Sequence, residues 1–121
     1  MRKRSFTPLN ERMDALPPGA AAMSVVTWGE LVTGAEKSRQ KERTFANLHR
    51  LREIVPVLEL DDKVGDHYGA IRGTLELAGQ PIGVNDNWIA AHARALDLTL
   101  ITDNMREFER VPGLRVENWT A

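Results

Sequence analysis

The sequence predicts an α/β protein with a mainly parallel sheet, because short apolar runs alternate with amphipathic helical patterns along the chain. Residues 98–102 (LTLIT) form an apolar, β-branched run without polar alternation, which is typical of a strand buried on both faces of a parallel sheet. Residues 64–78 carry apolar side chains at spacings of 4, 3, 4 and 3, which indicates an amphipathic helix. Strands and helices in alternation imply right-handed crossovers between parallel strands.

The composition is that of one domain with a single core: 121 residues, 42% of them hydrophobic, with a formal net charge of −1. The absence of cysteine excludes disulfides and thiolate metal sites. We find neither a membrane span nor a secretory signal, and therefore expect a cytoplasmic protein without membrane association. The near-neutral charge argues against binding of nucleic acid by charge alone. It leaves open a metal-loaded site that acts on nucleic acid, because the ion supplies local positive charge.

The first elements are a short helix and a strand. Thr7 and Pro8 are typical of an N-cap and a first helical residue. Residues 21–26 form an apolar run without alternation and are predicted to be the next strand. Thr27 then stands three residues before Glu30, which is the spacing of a capping box. Glu30 is therefore either a capping residue or a carboxylate presented at the carboxyl end of a strand.

Residues 37–43 are predicted to be a polar, basic linker before a helix whose inner face carries Phe45, Leu48 and Leu51. The cations of this region outnumber the acids: Lys37, Arg39, Lys41, Arg43, Arg50 and Arg52. Such a run is usually a solvated face, and contact with phosphate is the less frequent alternative.

Residues 54–60 predict a strand, which Pro56 places at an edge or a bulge. Asp61 or Asp62 is expected to cap the helix over residues 64–78. Gly79 is expected to end that helix in the left-handed conformation.

Residues 81–104 contain two further acids of interest. Asp86 lies three, four and seven residues before Ile89, Ala90 and Ala93, which places it on their inward stripe. Asp103 follows the predicted strand 98–102, and ligands of open α/β sheets bind outside the carboxyl ends of strands. The alternative is that both acids are structural. The helix macrodipole favours Asp86 in a first turn, and Asp103 or Asn104 can cap the turn that begins at Met105.

Together Glu30, Asp86 and Asp103 form a set of oxygen ligands that suits Mg²⁺ or Mn²⁺ rather than Zn²⁺. Carboxylates gathered in a cleft repel one another unless a cation lies between them. A bound ion can activate water and neutralise charge on a phosphodiester, and no side chain stands out as a covalent nucleophile. We therefore expect the three carboxyl groups to converge within roughly 4–8 Å of one another.

Four segments of the chain resemble PIN-domain ribonucleases of the VapC toxin type: residues 24–31 (SVVTWGEL), 66–79 (DHYGAIRGTLELAG), 81–93 (PIGVNDNWIAAHA) and 98–119 (LTLITDNMREFERVPGLRVENW). The resemblance implies a three-layer α/β/α sandwich around a central, mainly parallel sheet. It also implies Mg²⁺- or Mn²⁺-dependent hydrolysis of RNA, often tRNA, by metal-activated water. A VapB-type antitoxin and a homodimer are the implied partners.

By the same resemblance, Glu30 matches the acid of a T-x-x-E-L segment, and Asp86 matches the acid of N-D-x-x-I-A-A. The third site position falls on Asp103, or its role is shared with Asn104, because family members often carry asparagine there. Glu30, Asp86 and Asp103 are thus the implied metal ligands.

The sequence departs from the family at its N-terminal end. The family begins with a strand that bears an Asp in a motif such as L-D-T-N, and this motif is not found here. Residues 2–8 instead resemble the middle of the family's first helix, so we interpret residues 1–121 as one PIN-like domain without that first strand. We accordingly expect weak or absent ribonuclease activity and a dependence on a dimer or an antitoxin for stability. The alternative function is a catalytically crippled binding module that dimerises or binds antitoxin. A third hypothesis is an unrelated α/β domain whose acids only cap helices.

Overall fold

The computed structural model describes residues 20–119. The described residues divide into two compact units, residues 20–60 and residues 61–119. We call the first the hairpin unit and the second the C-terminal unit. The predicted helix at Thr7 and Pro8 lies outside the described residues. No helix among residues 20–119 is both long and apolar enough to cross a membrane.

The hairpin unit contains two helices between two short parallel strands. Its elements are β1 (Met23–Ser24), α1 (Val25–Glu36), α2 (Lys41–Ile54) and β2 (Val57–Leu58). Met23 pairs with Val57 and Ser24 with Leu58 in a parallel register. The ladder begins where the backbone N–H of Met23 donates to the carbonyl of Pro56 over 2.9 Å. Pro56 itself lies just before β2 and not within it, so the prediction of an edge position or a bulge stays a prediction.

The predicted strand 21–26 was too long. Ser24 has extended backbone angles, and its hydroxyl accepts a hydrogen bond from the N–H of Val26 over 3.1 Å, so Ser24 is the N-cap of α1. Val25 and Val26 belong to the first turn of this helix and not to the strand. Because Thr27 lies inside the helix, the predicted capping box between Thr27 and Glu30 is wrong.

The helices α1 and α2 pack against each other, with Ala35 and Leu48 buried. The linker is shorter than predicted, because α2 already begins at Lys41. The predicted strand 54–60 is likewise reduced to two residues, and Ile54 instead ends α2 with 72% of its surface exposed.

The C-terminal unit consists of α3 (Asp62–Leu77), α4 (Val84–Ala95), β3 (Leu100–Ile101), α5 (Met105–Phe108) and β4 (Val116–Glu117). The carboxylate of Asp61 accepts a hydrogen bond from the N–H of Val64 over 3.0 Å, which confirms the predicted cap. Gly79 follows the helix with φ +71°, the left-handed conformation expected there.

The core of the C-terminal unit lies between α3 and α4 and is closed by the segment around α5. Its buried side chains are Val64, Ile71, Leu75, Ala90, Ala91, Phe108 and Val111. Adjacent alanines on α4 let the two helix backbones approach, since a methyl group is the whole side chain. Beside this core the rings of Tyr68 and Trp88 stack with centroids 3.8 Å apart.

The strands β3 and β4 form a parallel ladder, as predicted, with Leu100 opposite Val116. The strand is shorter than predicted, and Leu98 and Ile101 are 46% and 37% exposed, so burial on both faces was wrong for this strand. The turn before it contains Asp97 at φ +56°, a conformation that non-glycine residues seldom adopt. The guanidinium of Arg115 donates to the side chain of Asp97 over 2.7 Å and to its carbonyl over 2.6 Å.

Candidate active site

Asp86 lies in the first turn of α4, at the margin of the helix face that contacts the core. The helix begins after Gly83, whose position carries no side-chain cap. A Cβ at position 83 would lie 3.8 Å from Oδ2 of Asp86, so the carboxylate folds back over the start of its own helix. A negative charge at this position is stabilised by the macrodipole, as the structural interpretation of Asp86 requires.

The start of α4 is tied to the segment that follows β3. The N–H of Gly83 donates to Oε1 of Glu107 over 3.3 Å, and Nη1 of Arg110 donates to the carbonyl of Pro81 over 3.1 Å. These bonds bring a second carboxylate, Glu107, to the helix end that carries Asp86. No local pattern predicts a role for Glu107, and its only signal in the sequence is its position inside the matched segment 98–119.

Asp103 and Asn104 occupy the bend between β3 and α5. Asn104 stands at the N-cap position of α5, but its side chain makes no capping hydrogen bond. Its own N–H instead donates to the hydroxyl of Thr102 over 3.0 Å. The interpretation of Asn104 as a side-chain cap is therefore wrong. Asp103 is exposed just past the carboxyl end of β3, where the sequence placed it.

Asn87, next to Asp86, has an unusual environment for an amide. Its side chain is almost wholly buried, at 3% exposure, yet among the described residues its Oδ1 has no hydrogen-bond partner. An unsatisfied buried oxygen costs free energy and calls for an explanation. Asn87 was not among the predicted site residues, although it stands three and four residues before the inward Ala90 and Ala91.

Glu30 is an exposed residue of α1 and belongs to the hairpin unit, whereas Asp86 and Asp103 belong to the C-terminal unit. Within residues 20–119, no group of three or more His, Cys, Asp or Glu side chains is arranged to hold a metal ion. The convergence of the three acids therefore stays a prediction.

The candidate ligands that the sequence assigns to the C-terminal unit are oxygens, which fit Mg²⁺ or Mn²⁺ by their chemistry. Asp86, Asp103 and Asn104 supply carboxylate and amide oxygens, and Asn87 adds a buried oxygen that lacks a donor. In the same unit, Nδ1 of His67 accepts a hydrogen bond from Nε of Arg94 over 2.8 Å.

Comparison with known proteins gives a consistent result along nearly the whole chain. The PIN domain family model matches residues 3–114. The tRNA(fMet)-specific endonuclease VapC of Shigella flexneri is 44% identical over 118 residues, which are 98% of this chain and 89% of that relative. Ribonuclease VapC1 of Haemophilus influenzae is 41% identical over 105 residues, which are 87% of this chain and 78% of that relative.

Solved structures give the same result for the fold. VapBC-1 from nontypeable Haemophilus influenzae superposes with a TM-score of 0.89 at 39% identity, covering 95% of this chain and 87% of that chain. DNA-bound VapBC from Salmonella typhimurium superposes with a TM-score of 0.88 at 39% identity, covering 93% and 84% respectively. The fold is thus the predicted PIN fold, and the chain belongs to the PIN-domain family, among the VapC-type ribonucleases.

Proposed function

We propose that the protein is the toxin of a toxin–antitoxin pair and hydrolyses RNA phosphodiesters, with tRNA as a candidate substrate. The observation that carries this proposal is the 44% identity, over 98% of the chain, to a relative named as a tRNA(fMet)-specific endonuclease. The positions of Asp86 in the first turn of α4 and of the exposed Asp103 just past β3 support it, because carboxylate oxygens are the ligands that Mg²⁺ and Mn²⁺ prefer.

We assign the binding of Mg²⁺ or Mn²⁺ to Asp86, Asp103 and Glu30, with Asn104 sharing the position of Asp103. When bound, such an ion lowers the pKa of water and neutralises charge on the phosphodiester. Glu107 acts through the backbone: by accepting from the N–H of Gly83 it holds the helix end that presents Asp86. The exposed Asp103 is accessible to a large substrate such as RNA.

We propose a VapB-type antitoxin as the protein partner, since the similar solved structures are VapBC complexes. A homodimer is proposed as well. Large apolar side chains on the surface of each unit support such contacts, with Leu77 93% and Ile54 72% exposed. Because RNA is the proposed substrate, we place the protein in the cytoplasm.

The decisive experiment is cleavage of labelled RNA by purified chain 1–121 in Mn²⁺, with EDTA as the metal-free control. We expect any cleavage in Mn²⁺ to be abolished in the Asp86→Asn variant and blocked by the antitoxin. The rate of cleavage by the unmodified chain tests the expectation of weak or absent activity. Antitoxin binding without any cleavage would identify the alternative function, a binding module.

A further inference from the structure

An exposed cluster of aromatic and cationic side chains lies on the hairpin unit. It consists of Trp28 on α1 with Phe45, His49 and Arg52 on α2, and we call it the Trp28 cluster. The guanidinium carbon of Arg52 lies 5.0 Å from the centroid of the Trp28 ring. The His49 ring lies 6.4 Å from that of Trp28 and 6.5 Å from that of Phe45.

Helix geometry explains why these side chains meet. Phe45, His49 and Arg52 are separated by four and three residues, so they form one stripe along α2. The packing contact itself uses the neighbouring stripe, where Leu48 is buried. His49 and Arg52 are exposed, while Trp28 and Phe45 are half-buried. The cluster therefore presents ring faces and a planar cation at the surface and is not part of the core.

Positive charge is concentrated in the segment that carries Phe45, His49 and Arg52, although residues 20–60 as a whole hold five acids against six cations. Residues 37–52 contain one acid, Glu42, and these cations: Lys37, Arg39, Lys41, Arg43, Arg50 and Arg52. One of them, Lys41, is paired with Glu36 at 2.8 Å. An excess of positive charge beside stackable rings is complementary to a polymer with phosphate groups and flat bases.

We propose that the Trp28 cluster is a stacking surface for a base of single-stranded RNA, while the neighbouring cations contact its phosphates. This inference rests on the proposed function in that RNA is the substrate, and it adds where the RNA is held. Single-stranded RNA is the fitting form, because its bases are free to stack on aromatic rings and guanidinium planes, whereas those of a duplex are not. The charge and the exposed polar edges of His49 and Arg52 favour RNA over an apolar peptide.

The test measures binding separately from cleavage. The parent is the full-length Asp86→Asn chain in EDTA, and the probe is a fluorescein-labelled single-stranded RNA of about twelve nucleotides followed by anisotropy. We expect Trp28→Leu and Arg52→Gln each to raise Kd by about tenfold. Trp28→Phe retains a ring and should stay within about threefold of the parent.

The matched control is Arg72→Gln, which removes an equivalent exposed guanidinium that lies 5.9 Å from the Tyr68 ring in the C-terminal unit. It should change Kd by less than about twofold, because Arg72 is not part of the Trp28 cluster and a single exposed charge is screened by salt. The same RNA annealed to its complementary strand should bind with a Kd that Trp28→Leu does not change. Circular dichroism melting verifies that each variant is folded. If Trp28→Leu does not fold, Arg52→Gln still tests the proposal, because Arg52 is exposed.

Equal affinity of Arg52→Gln, Trp28→Leu and the Arg72→Gln control would overturn the proposal. So would variants that lose affinity for the antitoxin and keep it for RNA, since the surface would then bind protein. If RNA binding depends on Trp28 but the wild-type protein does not cleave RNA, the stacking surface is upheld and the nuclease function is contradicted. If the wild-type protein cleaves RNA but binding does not depend on Trp28, the nuclease function is upheld and the stacking surface is contradicted.

Discussion

The backbone N–H of Gly83 donates a hydrogen bond to Oε1 of Glu107 over 3.3 Å, and so joins the start of α4 to α5. The side chain of Asp86 lies against the same glycine, with Oδ2 3.8 Å from the place of a Cβ. One backbone amide therefore links the position of the best candidate acid to a residue that follows β3. The conformation of the start of α4 therefore depends on α5 as well as on α4 itself.

Replacement of Glu107 tests that link. Glu107→Ala removes the acceptor, and we expect a loss of about 1 kcal/mol of unfolding free energy in urea. The rate of RNA cleavage should fall by more than the loss of folded protein explains, because the hydrogen bond no longer holds the helix end that presents Asp86. Glu107→Gln is the matched control, since its amide oxygen can still accept from Gly83. An alanine variant with the stability and activity of the parent would show that the bond does not position Asp86.

Asp86→Asn distinguishes a metal ligand from a structural acid. If Asp86 belongs to an acidic cluster with Glu30 and Asp103, removal of its charge relieves repulsion, and the metal-free variant should melt at a higher temperature than wild type. Stabilisation by millimolar Mn²⁺ should be lost, because ligand binding to the native state raises Tm only where the site exists. Glu109→Gln removes a charge from an exposed side chain and serves as control. A metal-free Asp86→Asn variant that melts lower and responds to Mn²⁺ as wild type does would leave Asp86 a structural residue.

The packing of α3 against α4 predicts that alanine substitutions at two positions of α3 differ strongly in their cost to stability. Ile71 is fully buried, and Ile71→Ala should cost roughly 2–5 kcal/mol of unfolding free energy through lost burial and a residual cavity. Leu77, in the last turn of the same helix, is 93% exposed, so Leu77→Ala should stay within about 0.5 kcal/mol. Urea denaturation followed by circular dichroism measures both. Similar costs at the two positions would contradict the packing described for α3.

Replacement of two glycines near α3 by alanine should change the free energy of unfolding in opposite directions. Gly79 has φ +71°, so Gly79→Ala forces a side chain into the left-handed region and should destabilise by roughly 1 kcal/mol. Gly73 lies inside the helix with no atom within 4 Å of an added Cβ, so Gly73→Ala should stabilise by roughly 0.5–1 kcal/mol. Thermal melting of both variants gives the comparison. A gain in stability at position 79 would show that Gly79 does not end the helix in this conformation.

The sequence predicted the helices of this protein better than its strands. The stripe of α3, the cap at Asp61 and the helix end at Gly79 rest on local rules, and the structure confirms them. Residues 21–26 were assigned wrongly, because an apolar run of that length fits a strand and a buried helical turn equally well. Only the hydroxyl of Ser24, which accepts from the N–H of Val26, settles where the helix begins.

For the candidate site, the sequence predicted where Asp103 stands relative to β3 and that Asp86 opens α4. It could not predict the contact between Gly83 and Glu107, because the two residues are 24 positions apart and no periodicity relates them. The same holds for Trp28 and Arg52, which come together only through the packing of α1 on α2. Local patterns identify elements, whereas contacts between elements depend on tertiary packing.

The pairing of Arg115 with the turn at Asp97 has a consequence for amide hydrogen exchange. Arg115 accepts at its carbonyl from the N–H of Leu100 over 2.8 Å, and its guanidinium holds the side chain and carbonyl of Asp97. Separation of the two strands must therefore break the ladder bond and release the turn in the same fluctuation. The amides of Leu100 and Thr102 should then exchange with one common opening free energy, as a single cooperative segment.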